Sequence, residues 1–173
     1  KTIQMTATVT NVDEQPVIYW ASTDESIATV DEYGVITAVS GGQVHMENVA
    51  CTIGNKKRNG HVPCFSFRGQ QVWLHSINPE RCSRTEVENI GGTLWWSGFK
   101  TEQESSICVT SEGGVTEILG GVAVNGGAKD IPLILNDQST VSAVFATVGV
   151  NPAGTFPVAV KEIRGAEETI IKD

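Results

Sequence analysis

The sequence predicts an all-β protein built from antiparallel sandwiches or barrels. Three observations point there. Threonine and valine are plentiful, glycine reaches 18, and only 18% of the 173 residues are charged, a mix that suits strands joined by tight turns. Apolar and polar residues alternate with a period of two through many short runs. Gly, Asn, Asp and Pro interrupt those runs at intervals of about 8–12 residues, and no helical period of useful length appears.

The runs follow in order. In "TIQMTATVT", Ile3, Met5, Ala7 and Val9 fall on one face and the threonines and Gln4 on the other, the signature of a half-buried strand. "VDEQ" turns the chain, and "VIYW" (Val17–Trp20) is a short aromatic strand. "SIATV" alternates again. "DEYG" has Asp first and Gly fourth, as a type I turn requires, and "VITAV" follows before Gly41 and Gly42.

The stretch "YWASTDESIATVDEYGVITAVSGG" resembles the bacterial immunoglobulin-like domain of group 2. The matching positions are Trp20, Ser22-Thr23-Asp24, Ser26, Ile27-Ala28-Thr29-Val30-Asp31, Gly34, Ile36-Thr37-Ala38 and Gly42. The resemblance covers residues 1–48 and implies an immunoglobulin-like β-sandwich with Trp20, Ile27, Val30 and Ile36 packed inward. The family has one more strand upstream, so that strand is expected to be missing or supplied by another chain. The family's last strand is replaced here by "GQVHMENVACTIG".

The expected organisation is an immunoglobulin-like domain over 1–50, a cysteine-bearing basic insertion or connector over 51–90, and a second β-sandwich over 91–173. In the connector, Phe65/Phe67 and Val72/Leu74 alternate. Seven strands are expected beyond it: "TLWWSGF", "SICVT", "VTEILGGVAV", "IPLILN", "STVSAVFATVGV", "FPVAVKEI" and "ETIIK". No strict internal repeat is evident in the sequence.

The net charge is −8, which argues against nucleic acid and anionic membrane as partners. It is unevenly spread: residues 1–50 carry −6, residues 51–84 carry +5, and residues 85–173 carry −7. The basic island, with Lys56, Lys57 and Arg58, suits docking to an acidic neighbour, such as another copy of the chain. No run reaches the ~18–20 apolar residues of a membrane span. No signal peptide or initiator Met is present, which reads as a processed product. The four cysteines, Cys51, Cys64, Cys82 and Cys108, suit disulfides in an exported protein. Of three pairings, Cys51–Cys64 with Cys82–Cys108 is the simplest; in a cytosol the same residues are buried thiols.

Little in the sequence points to chemistry. Asp24, Glu25, Asp31 and Glu32 lack calcium-loop spacing and read as turn residues. The histidines His45, His61 and His75 lie among cysteines too widely spaced for a compact zinc site. No Gly-x-Ser-x-Gly elbow occurs, and the glycine pairs lack the strand–loop–helix context of a phosphate cradle. No catalytic residue, metal or cofactor is therefore expected. Trp95 and Trp96 are adjacent, so one enters the core while the other faces out; Trp73 raises the same question. An outward Trp meets a partner, a glycan or its own chain.

These features favour a non-enzymatic structural subunit at the cell surface, assembling with copies of itself or other structural subunits in a pilus-like filament or adhesin. The C-terminal Thr169, Ile170 and Ile171 are candidates for a strand donated to a neighbour. A bacteriophage virion subunit (tail, head-fibre or decoration) and a glycan-binding module are the alternatives.

Overall fold

The computed structural model describes residues 21–22, 25, 28–30, 36–38, 41–52, 63–80, 85–102, 105–124, 131–148 and 157–172. All regular structure among them is β: β1 (Ala28–Val30), β2 (Ile36–Ala38), β3 (Gln43–Glu47), β4 (Ala50–Thr52), β5 (Phe65–Arg68), β6 (Gln71–Glu80), β7 (Thr85–Ile90), β8 (Thr93–Glu102), β9 (Ser106–Ser111), β10 (Val115–Val124), β11 (Ile134–Asp137), β12 (Thr140–Val148), β13 (Val160–Arg164) and β14 (Glu167–Ile171).

The strands alternate between two sheets. One runs β1-β2-β5-β7-β9-β11-β13-β14; the other runs β12-β10-β8-β6-β3, with β4 also on β6. From β2 to β13 in the first sheet, and throughout the second, neighbours are parallel. Each coil contributes one strand to each sheet and stacks on the coil before it. Gln71 pairs with Thr93 and Thr93 with Val115, so these coils repeat every 22 residues. The architecture is solenoid-like. It replaces the second antiparallel sandwich expected over 91–173, and it supplies the repeat that was not evident in the sequence. Among the described residues, antiparallel pairs occur only at the two ends of the first sheet, where β1 pairs with β2 and β14 with β13.

Positive-φ residues form two columns of bends along the stack. Gly41, Gly69, Gly91, Gly113 and Gln138 turn the chain from the first sheet into the second, and seven residues later Asn48, Ser76, Gly98 and Gly120 bend it again. Glycine adopts that backbone without penalty and Asn48 with little; Ser76 and Gln138 hold it at a cost. Gly92 is required for a second reason: a Cβ there would lie 2.5 Å from the Gln70 carbonyl oxygen. The turns are hydrogen-bonded coil to coil, as from Gly69 N to Ile90 O at 2.8 Å and Gly91 N to Ser111 O at 2.8 Å.

The core lies between the sheets. Phe65, Val87, Cys108 and Ile134 stack in register from the first; Val72 with Leu94, and Leu74 with Trp96 and Ile118, stack from the second. All are buried, each large aliphatic among them worth roughly 1.5–3 kcal/mol.

The sheets cross the expected domain boundaries. β2, within residues 1–50, pairs with β5 in the expected connector, and β7 pairs with β9 beyond residue 91. The inward packing expected for Trp20, Ile27, Val30 and Ile36 concerns residues or side chains outside the described set.

Candidate functional site

The outer face of the second sheet carries an aromatic column. His45, Trp73 and Trp95 occupy one register position on β3, β6 and β8. The His45 and Trp73 rings stack at 4.3 Å and 5°, and Trp73 and Trp95 at 4.9 Å and 14°. Parallel in-register strands place equivalent side chains about 4.8 Å apart, which is stacking distance. The next residue in this column is Glu117. Trp96, one residue on, points inward at 1% exposure, so the in/out division expected of the two tryptophans is realised.

Stacking has a chemical consequence. A sugar binds tryptophan by lying on the ring face, and here those faces largely cover one another. The column presents ring edges outward and acts as a brace along the stack.

Polar groups around this face are paired. His75 Nδ1 lies 3.3 Å from Glu47 Oε1. Lys100 Nζ donates to Glu80 and Glu102, each at 2.5 Å. Both carboxylates hold the Lys100 ammonium above its ordinary pKa.

Two polar clusters inside the stack had no counterpart in the sequence reading. Glu86 is fully buried; Ser105 and Thr101 donate to its Oε1 at 2.5 and 3.3 Å, and Cys64 Sγ lies 3.3 Å from its Oε2. Asn89, also fully buried, donates from Nδ2 to Gly92 O, Val115 O and Thr116 Oγ1 at 3.2, 3.0 and 2.9 Å, so it ties one coil to the next. Both are closed to solvent and hold backbone and hydroxyls in place. The alternation in "TEVENI" gave no sign that Glu86 and Asn89 turn inward.

The remaining candidates are placed as follows. Cys51 and Cys108 carry thiols, so the Cys51–Cys64 and Cys82–Cys108 pairing is corrected: neither bond forms. Cys64 is disulfide-bonded; Cys82 lies outside the described residues. Burial pushes the Cys108 thiol up to about 11. Lys56, Lys57, Arg58 and His61 also lie outside the described residues. Thr169, Ile170 and Ile171 form β14 and pair with β13 of their own chain; as a strand donated to a neighbour, this segment is already engaged along one edge. Among the described residues, no three His, Cys, Asp or Glu side chains converge as a metal site, and no helix is long and apolar enough to cross a membrane.

The far end of the second sheet is different in character. Val115, Leu119, Val144 and Val148 are exposed there at 45%, 54%, 69% and 45%, on β10 and on the terminal strand β12.

No curated protein and no solved structure matches the chain. Residues 1–62 match the bacterial Ig-like domain (group 2), and the antiparallel β1–β2 pair at one end of the first sheet lies within that match.

Proposed function

We propose that the chain is a non-enzymatic structural subunit of an extracellular or cell-surface assembly. The observation that carries this reading is the β2–β5 ladder, which joins the Ig-like segment to the coils without a break in hydrogen bonding. Domains of this group are typically structural modules of surface proteins, and a parallel stack extends such a module as a stiff rod. The buried polar groups serve the stack, and the ordered aromatic column does the same on its surface. The disulfide at Cys64 supports export, because a reducing cytosol disfavours it.

Electron microscopy of the assembled material, with antibody labelling of intact producing cells, tests the reading. Surface label on fibres or on an adhesin layer is the expected result. Label restricted to phage particles would replace it with the virion reading, which the thiols of Cys51 and Cys108 favour. Glycan binding lost on Trp95→Ala would replace it with the carbohydrate-binding one.

A further inference from the structure

Of the four cysteines, Cys51 and Cys108 are thiols and Cys64 is disulfide-bonded. Within one chain that leaves Cys82 as the partner of Cys64; its position lies outside the described residues, and its identity follows by elimination. The two cysteines bracket one coil. Cys64 immediately precedes β5, and Cys82 stands shortly after the end of β6 at Glu80. One whole coil, with a strand in each sheet, therefore lies between them.

That coil is a joint in the stack. On one side β5 pairs with β2, and β6 with β3 and β4; on the other β5 pairs with β7, and β6 with β8. The residues matched to the Ig-like domain end at 62, just before Cys64. Cys64 is fully buried, and its Sγ meets the coil on either side: the Cys51 carbonyl oxygen on β4 lies at 3.8 Å and Glu86 Oε2 on β7 at 3.3 Å. Glu86 is in turn held by the hydroxyls of Thr101 and Ser105, further along the chain.

We propose that a Cys64–Cys82 cross-link closes this coil into a covalent ring, which acts as a tension stop between the Ig-like segment and the rest of the stack. The inference rests on the structural reading above, in that it supposes a rod under load. In a stack each coil touches only its neighbours, so a pull on the chain undoes coils one at a time. With the ring closed, tension entering at Cys64 leaves at Cys82 through the sulfur bridge. Neither β5 nor β6 is then drawn out of its sheet, and the ladders on both sides keep their strands. The cross-link forms by exchange with a disulfide oxidant: the two cysteine thiols pass two protons and two electrons to it, and its own disulfide becomes two thiols. Once the bond is made, the buried Cys64 sulfur is out of reach of a reducing thiolate until the coil opens.

Non-reducing peptide mapping at acid pH, and force spectroscopy of the whole chain held by its two ends, test the proposal. The map should show a peptide carrying Cys64 joined to one carrying Cys82. Dithiothreitol should lengthen the fully extended chain by roughly 60–65 Å, at about 3.3–3.6 Å for each residue released from the ring. Cys82→Ser should show the longer extension with and without reductant, while Cys51→Ser keeps the wild-type difference. Cys64 joined to Cys51, to Cys108 or to a second chain would overturn the proposal, as would a wild-type extension that reductant leaves unchanged. The map and the wild-type extension need no variant, so misfolding of Cys82→Ser leaves them decisive. A chain without the link that is still found on surface fibres would sink this inference and spare the structural reading.

Discussion

The indole rings of Trp73 and Trp95 lie 4.9 Å apart and within 14° of parallel, on neighbouring coils whose backbones are paired at those two residues. Two stacked indoles couple their electronic transitions. Trp73→Ala and Trp95→Ala should each abolish the same exciton couplet in the circular dichroism spectrum. Each should lower stability by about 1 kcal/mol beyond the area term. Spectra of both single variants and the double variant check this; a couplet that survives either single change would refute the stack.

Gly92 and Gly113 separate two kinds of glycine requirement. A Cβ at Gly92 meets Gln70 backbone at 2.5 Å, whereas at Gly113, with φ +77°, nothing lies within 4 Å. Gly92→Ala should therefore cost about 3 kcal/mol or more through overpacking. Gly113→Ala should cost only the left-handed backbone penalty of about 1–2 kcal/mol. Urea denaturation of the two variants orders them.

Cys108 links stability to alkaline pH. Its thiol is pushed from 9.0 up to about 11 by burial, so between those values the unfolded chain ionises and the folded one does not. The folded state is then progressively disfavoured: the contribution is intact below pH 9 and falls away as pH rises toward 11. Cys108→Ala should flatten that decline in denaturation curves at pH 8, 9 and 10.

The same cysteines make a counting prediction. Alkylation of the native protein should spare Cys108, which is fully buried. In denaturant without reductant, mass spectrometry should find alkyl groups on Cys51 and Cys108, the two thiols among the described residues, and not on Cys64. Reductant should then open Cys64 to the reagent. Labelling of Cys64 before reduction would remove the disulfide and with it one support for export.

Lys100 separates two carboxylates of the same sign. Its ammonium contacts Glu80 and Glu102, with side-chain exposures of 44%, 14% and 44%. Lys100→Met should lower stability by roughly 0.5–1 kcal/mol at low ionic strength. Much of that loss should vanish in 1 M salt, where screening shortens to about 3 Å. Thermal melts of wild type and variant at the two ionic strengths measure the difference.

Much of this protein was legible without coordinates. The alternation around Phe65, Phe67, Val72 and Leu74 set which side chains enter the core, because a strand with one covered face must alternate. It also divided Trp96 from Trp95, and it placed the seven strands now seen from β8 to β14. The Ig-like segment followed from the order and spacing of its own residues. Neighbour direction was beyond reach. A period of two reports that one face is covered; it says nothing of whether the adjacent strand runs parallel or reversed, and an antiparallel sandwich and a parallel coil stack produce the same pattern. The repeat was written in the sequence at Gly91–Gly113 and Gly98–Gly120, each 22 residues apart. It was obscured because Gln70 in one equivalent turn and Gln138-Ser139 in another replace glycines, and because the coil from Gln43 to Gln71 is six residues longer. Burial of Glu86 and Asn89 and the aromatic column depend on which coil lies over which. Only tertiary structure decides that, since stacking brings together residues about 22 positions apart whose local sequences carry no trace of the contact.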